Sequence, residues 1–309
     1  MKRPFTFRDR LRSALLIDFG GGPASTVLLA GSQRSGTTWA ANLINYDHRY
    51  RDMYEPFNGD RVERSAMFRY ALYLRPDDPA PAYARLAADI VGGRLRHPRV
   101  DRTNARRFST RRLIKETRVN LILAWLQRRF PAMPVVFLVR HPCAVAVSRM
   151  ALGWKPRLEA MLDQPELVAD HLKPFMPVIS QATEPFEQHV VNWCIDNYVP
   201  ARALVPENLH AVFYESLVAR PEEELRLLFA AIGRPYSAAV LDTLSRPSRT
   251  VRPDSAIRTG GDAAGGWRTK VDAAMIDRAM YFVTAFGMDR WYGPDAMPRQ
   301  PRPLPFGRP

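Results

Sequence analysis

The chain has 309 residues, 46% hydrophobic and 25% charged, which is ordinary globular usage and excludes a collagen-like or wholly disordered chain. Lys plus Arg number 45 against 31 Asp plus Glu, a formal net charge of +14, and only five of the 45 are lysine; this excess of arginine predicts an anionic partner: a nucleotide, nucleic acid, an acidic glycan or a membrane surface. No apolar run approaches ~18 residues, so no transmembrane helix is expected, and the two cysteines, Cys143 and Cys194, form no CxxC pair and read as buried free thiols rather than metal ligands.

Residues 1–24 form a basic arm that ends in Gly20-Gly21-Gly22-Pro23. Phe7, Leu11, Ala14 and Leu15 can share a helical face, which reads as a docked terminal helix or a frayed tail, with peripheral contact to an anionic surface as the other use of such a face. No signal-peptide pattern is present there, so a cytoplasmic location is expected. Ser25 to Ala30 is an apolar run suited to a buried strand. It leads directly into Gly31-Ser32-Gln33-Arg34-Ser35-Gly36-Thr37-Thr38, after which Trp39, Leu43 and Tyr46 have helical spacing.

Residues 60–110 are expected to be mostly helical and polar. Arg111 to Lys115 reads as a second short strand, and Asn120 to Phe130 as an amphipathic helix stopped by Pro131 and Pro134. Val135 to Val139 is a run of five apolar residues, the pattern of a parallel strand buried on both faces, with a helix from Cys143 to Leu152. Five prolines interrupt residues 155–188, which predicts short helices. A long helix follows from Gln188 to Ala203, then a strand from Leu209 to Tyr214 and a helix from Pro221 to Ile232. Residues 243–270 read as a loop, Asp272 to Phe286 as a last helix, and 293–309 as a Pro-rich tail, extended or disordered. Strands alternating with helices predict one α/β domain with a parallel sheet over residues 25–292. Right-handed crossovers then set the loops after residues 30, 115, 139 and 214 along one edge.

Gly31-x4-Gly36 has the glycine spacing of a Walker A loop, but Thr37 stands where a nucleoside triphosphatase has Lys. Backbone N–H groups and the Thr37 and Thr38 hydroxyls at a helix N-terminus can still cradle a phosphate, with Arg34 supplying positive charge. A Gly-Ser turn without a ligand is the other reading of the same pattern. Arg140 lies at the carboxyl end of a buried strand, where open α/β sheets bind ligands, and Ser148 follows about two helical turns later. An ion pair at a strand end and an ordinary helix serine are their alternatives. His141 beside Arg140 reads as a hydrogen-bonded structural histidine or an aid to nucleotide binding. The other five histidines are dispersed and point to no metal site.

In this order the motifs resemble those of sulfotransferases that use 3′-phosphoadenosine 5′-phosphosulfate (PAPS). Gly31 to Trp39 is similar to the family's 5′-phosphosulfate loop. Val136 to Arg149 is similar to its 3′-phosphate-binding strand and helix, and Phe213 to Pro221 to its Tyr-Glu-Asp-Leu segment. The resemblance spans residues 25 to 290. It implies a three-layer sandwich around the parallel sheet, with a P-loop-like nucleotide site. Gly31, Ser32, Gln33, Arg34, Ser35, Gly36, Thr37 and Thr38 would hold the 5′-phosphosulfate, and Arg140 and Ser148 the 3′-phosphate. Trp39 would stack on adenine, and Tyr214 would lie near the nucleotide; alone, each aromatic fits a core equally. The stretch Arg258 to Trp267 is similar to the family's late Arg-Lys-Gly loop without its Lys, which implies Arg258 and Gly260 as ligands, or a glycine-hinged lid.

By analogy with phosphoryl transfer, sulfuryl transfer needs positioning and positive charge at the leaving oxygen, with no obligatory metal. Arg34 is the candidate for that charge. A base must take the acceptor's proton. Lys115-Glu116-Thr117-Arg118 lacks the histidine of aryl and steroid sulfotransferases, whereas Met53-Tyr54-Glu55-Pro56-Phe57 resembles the Glu-Pro element of carbohydrate and some bacterial ones. Glu55 is therefore the candidate base and Glu116 the reserve, with Lys115 either contacting the sulfuryl group or balancing Glu116. The expected acceptor is a hydroxyl of a carbohydrate or other small metabolite, chosen by residues 50–110 and 150–190. A P-loop kinase using ATP and a basic nucleic-acid-binding protein are the alternatives; the first lacks its Lys, and no nucleic-acid module is present.

Overall fold

In a computed structural model of the chain, residues 5–246 and 261–303 are described. The strands are β1 (Ile17–Asp18), β2 (Thr26–Ala30), β3 (Tyr50–Tyr54), β4 (Phe108–Ser109), β5 (Arg111–Glu116), β6 (Val135–Val139) and β7 (Leu209–Phe213). The helices are α1 (Phe7–Ala14), α2 (Thr37–Ile44), α3 (Pro81–Val91), α4 (Leu123–Arg129), α5 (Pro142–Met150), α6 (Glu159–Leu162), α7 (Pro165–Leu167), α8 (Met176–Ile179), α9 (Pro185–Ala203), α10 (Tyr214–Ala219), α11 (Pro221–Ala231) and α12 (Ala273–Ala285).

Five strands form one parallel sheet in the order β3-β5-β2-β6-β7. β2 and β6 are buried at every residue, as strands covered by helices on both faces must be. One apolar layer packs Trp125, Trp193, Phe282 and Phe286 against one side, and a second packs Trp39, Ile44, Leu225 and Phe229 against the other, which makes the expected three-layer α/β sandwich. α9 packs against both α5 and α12 and opens with a capping box from Glu184 and Glu187 and with Pro185 in its first turn.

One strand is additional to the sequence reading, and three local expectations are corrected. β3 is a full strand at the sheet edge, although Arg51 and Asp52 hide its apolar pattern. Residues 60–110 hold a single α-helix, α3, with one 3-10 turn at Glu63–Ser65; Pro76, Pro79 and the Gly92-Gly93 pair confine helix to the span between them. Tyr214 starts α10 instead of ending a strand. The tail beyond Gly293 is docked as far as Pro303: Tyr292 bridges to Pro298, and Arg302 pairs with the buried Glu224.

The N-terminal arm is also docked. β1 pairs with β4, and Asp18 and Asp101 take the buried guanidinium groups of Arg51 and Arg112. Cys143 and Cys194 are buried free thiols.

Candidate functional site

The carboxyl ends of the five strands form one edge, and the register orders what stands there. Tyr54 pairs with Lys115, and Ala30 with Glu116. Glu55, Thr117 and the Gly31 loop therefore sit side by side, with Glu55 two strand spacings, ~10 Å, from the loop. Arg140 and Tyr214 continue the row at the ends of β6 and β7. The loop thus occupies the middle, with carboxylate and lysine on one side and arginine and aromatics on the other. β2 is also where the connections change direction, the place where such sheets bind ligands.

The loop is built on two glycines with separate reasons. A Cβ on Gly31 would collide with the Leu138 carbonyl oxygen of β6. Gly36 has φ 92° and lies against the Tyr214 ring, where a Cβ would be 2.6 Å from Cδ2. α2 starts at Thr37 with no side-chain cap on its first N–H groups, so those donors remain for an anion. The buried Ser35 Oγ has no hydrogen-bond partner. Ser32 is buried and accepts from Asn197 Nδ2 (3.2 Å), and Thr37 is buried at the helix start beside the half-exposed Thr38. Gln33 contributes a carbonyl oxygen that accepts from Arg149 (3.3 Å).

The β6 side collects the predicted 3′ residues. Arg34, at φ 78°, sends its Nε–H to Ser148 Oγ (2.9 Å). Arg140 donates to the Arg34 carbonyl (3.3 Å) and the Ala263 carbonyl (3.2 Å) and lies 4.4 Å above the Tyr214 ring. Its buried Nε has no partner. The Arg140 carbonyl oxygen is held by Trp193 Nε1 (2.8 Å). Trp39 is buried edge-on to Tyr214, 5.4 Å between centroids, and donates to the Leu244 carbonyl (3.1 Å); here it is a wall of the apolar layer that reaches the site. Arg258 and Gly260 lie outside the described residues.

His141 is structural. Its Nδ1 accepts from the Cys143 N–H, and its Nε2–H donates to the Gly293 carbonyl. The ring stacks on Trp267 at 4.3 Å. Burial pulls its pKa down to about 3, so it stays neutral. Glu215, next to Tyr214, is fully buried and accepts from the His141 N–H (2.9 Å) and from the Tyr292 hydroxyl (2.6 Å). It fixes the ends of β6 and β7 to the chain beyond α12. Sequence reading passed over Glu215; its place beside Tyr214 in the Tyr-Glu motif was the available signal.

On the β3–β5 side, Glu55 takes a left-handed backbone, φ 49°. Its Oε1 meets Lys115 Nζ at 2.8 Å, and its Oε2 meets Arg99 Nη2 at 2.7 Å and Asn58 Nδ2 at 3.1 Å. Burial pushes the carboxyl up, but Lys115, then Arg99 and Asn58, outweigh it and hold the pKa at about 2. Glu116 has the opposite environment. It is fully buried and accepts from the backbone N–H of Phe57 (2.6 Å) and Thr117 (3.2 Å). Burial, helped by the Glu55 charge, raises it to about 8. Two adjacent carboxyls are thus driven apart, and the accessible one is ionised. Lys115 balances Glu55 rather than Glu116. Arg99 and Arg102 were not singled out from sequence; Arg102 stacks on the Tyr54 ring at 4.3 Å, beside Lys115 Nζ at 4.5 Å. With 40 arginines in the chain, no spacing marked these two. Among the described residues, no group of three or more His, Cys, Asp or Glu could hold a metal ion.

A family model described as "Sulfotransferase family" matches residues 26–238. No curated protein matches the sequence. Among solved structures the chain is similar to the sulfotransferase domain from the olefin synthase of Synechococcus PCC 7002, at 17% identity and TM-score 0.46, covering 85% of this chain and 94% of that one. It is also similar to the sulfotransferase domain from the curacin biosynthetic pathway, at 16% identity and TM-score 0.43, covering 84% and 96%. A third is mouse sulfotransferase SULT7A1 complexed with PAP, at 13% identity and TM-score 0.41, covering 92% and 94%.

Proposed function

The chain belongs to the sulfotransferase family, and on that premise we propose that it moves the sulfuryl group of PAPS to a hydroxyl of a carbohydrate or other small-metabolite acceptor. The observation that carries the donor assignment is the pair of open donor sets flanking the Gly31 loop. One is the uncapped start of α2 with the partnerless Ser35 hydroxyl; the other is Arg140, whose buried Nε lacks a partner, beside Ser148. Two anion-binding sets on one edge suit a nucleotide phosphorylated at both ends better than a 5′-nucleotide alone.

On this reading the 5′-phosphosulfate lies against Gly31, Ser32, Gln33, Arg34, Ser35, Gly36, Thr37 and Thr38, and the 3′-phosphate against Arg140 and Ser148. Trp39 and Tyr214 wall the adenine side. Arg34, permanently charged, bridges the two sets and stabilises charge developing on the leaving oxygen. The acceptor enters from the β3–β5 side, where Glu55 is the exposed-side carboxylate within reach of its hydroxyl. The acceptor oxygen forms the new bond to sulfur as the sulfur–oxygen bond to the nucleotide phosphate breaks, and the hydroxyl proton passes to Glu55. A carboxylate held near pKa 2 is a weak base; it serves here because a loose transfer loses the acceptor proton late. Glu116 is sealed from the acceptor and ties β5 to the Phe57 backbone.

The test is thermal melting with adenosine 3′,5′-bisphosphate, 5′-AMP and ATP–Mg²⁺. A ligand that binds the folded state raises Tm by mass action. The bisphosphate is expected to stabilise most, without metal, and Arg140→Ala to abolish its advantage over 5′-AMP. Equal or greater stabilisation by ATP–Mg²⁺ overturns the donor assignment.

A further inference from the structure

Helix α1 is amphipathic, and its apolar side faces away from the protein. At about 100° per residue, Phe7, Leu11 and the C-cap residue Leu15 fall on one stripe; all three are exposed, Phe7 at 78%. The opposite side meets the body: Leu16 is buried, Ser13 donates to Asp101, and Arg12 donates to the Asn104 carbonyl. Arg8 and Arg10 are exposed and flank the stripe on its two sides.

The adjoining ribbon repeats the arrangement. Asp18 turns inward to Arg51 and Arg112, so Ile17 and Phe19 turn outward and are 49% and 66% exposed. Phe108, in register with Ile17, is 63% exposed and follows the exposed Arg106 and Arg107. A docked helix ordinarily turns its apolar stripe to the core. Here the stripe is turned to water, and it continues into the ribbon.

We infer that α1 and the β1–β4 ribbon form a docking face for an anionic lipid bilayer. The six apolar side chains enter the interfacial layer, and Arg8, Arg10, Arg106 and Arg107 meet lipid phosphates. Charge selects this occupant. A second copy would set arginine against arginine across a self-complementary interface. The apolar groups are exposed on the helix and the ribbon, which fits insertion into a soft layer. No helix among the described residues is long and apolar enough to cross a membrane, so the contact is peripheral. The docking face also reaches the site. Asp101 and Asn104, which seat α1 and β3, share one short segment with Arg99 and Arg102, which meet Glu55 and Tyr54.

Flotation of the full chain with vesicles tests this. Binding is expected to equimolar phosphatidylcholine–phosphatidylglycerol vesicles and not to phosphatidylcholine alone, and to fall as NaCl is raised. Phe7→Ser with Phe19→Ser should weaken it at least ~10-fold, and Arg8→Glu with Arg10→Glu at least ~20-fold, each variant keeping the wild-type Tm. Absence of binding to anionic vesicles overturns the inference. So does equal binding by the folded phenylalanine variant. A dimer in sedimentation that the phenylalanine variant dissolves, without vesicle binding, assigns the face to a second copy instead.

Discussion

Glu55 stands in a left-handed conformation between two cations, and its whole behaviour follows from that neighbourhood. A half-buried carboxylate with both oxygens paired stays charged through the neutral range, so its titration shapes no acid limb of the rate above about pH 4. On the proposed assignment Glu55→Gln lowers kcat by about 10²-fold or more. It also leaves Lys115 and Arg99 without their counter-charge, which should cost about 3 kcal/mol in denaturant unfolding. The linkage has a definite sign. The pKa of Glu55 falls on folding from 4.5 to about 2, so its contribution is full above 4.5 and lost as pH falls toward 2. A Glu55→Gln protein with wild-type turnover refutes the base role, whatever its stability.

At the scale of elements, each end of the sheet is secured by buried polar groups. His141 caps α5, and its neutrality is required by the Cys143 N–H, which needs an acceptor. Because burial lowers its pKa from 6.5 to about 3, the stability it provides is full above pH 6.5 and is lost as pH falls toward 3. His141→Gln is expected to flatten the slope of Tm against pH across that window. At the opposite end, Asp101 joins the arm to β3 through Arg51 and Ser13. Asp101→Asn leaves Arg51 buried beside a weaker partner and should destabilise by about 3 kcal/mol; proteolysis within residues 5–19 is expected to accelerate first.

For the whole molecule, +14 of net charge acts on anything anionic that approaches. The association rate of adenosine 3′,5′-bisphosphate, measured by stopped flow, is expected to fall as NaCl is raised, while dissociation changes little. A salt-independent association rate would mean that the charge serves the surface alone. The strand order β3-β5-β2-β6-β7 places the Gly31 loop at the centre of the edge, with Arg140 and Ser148 on the β6 side and Glu55 beyond β3; on the proposed assignment, donor and acceptor are therefore held by different strands.

Much of the fold was readable because it rests on local rules. Val135 to Val139 is apolar at every position, which only a strand covered on both faces tolerates, and the strand–Gly31 loop–helix unit carries its own turn chemistry. The elements that carry the Gly31 loop, Arg140 and Ser148 were therefore legible, and their roles belong to the proposed function. β3 was not legible, since Arg51 and Asp52 interrupt its pattern; the Arg51 guanidinium is taken by Asp18, Asp101 and the Gly93 and Leu95 carbonyls, and Asn104 pairs with the Asp52 backbone, all from distant segments. Arg99 and Arg102 were lost among 40 arginines for the same reason: a guanidinium gains meaning only from the carboxylate or ring that meets it. The sequence by itself determined the α/β class and the strand, glycine loop and helix around Gly31, because those depend on neighbours within a few residues. Tertiary structure alone decided which glutamate is ionised and which is sealed, and which way α1 turns its apolar face. Both depend on burial and charge supplied by residues far away in the chain.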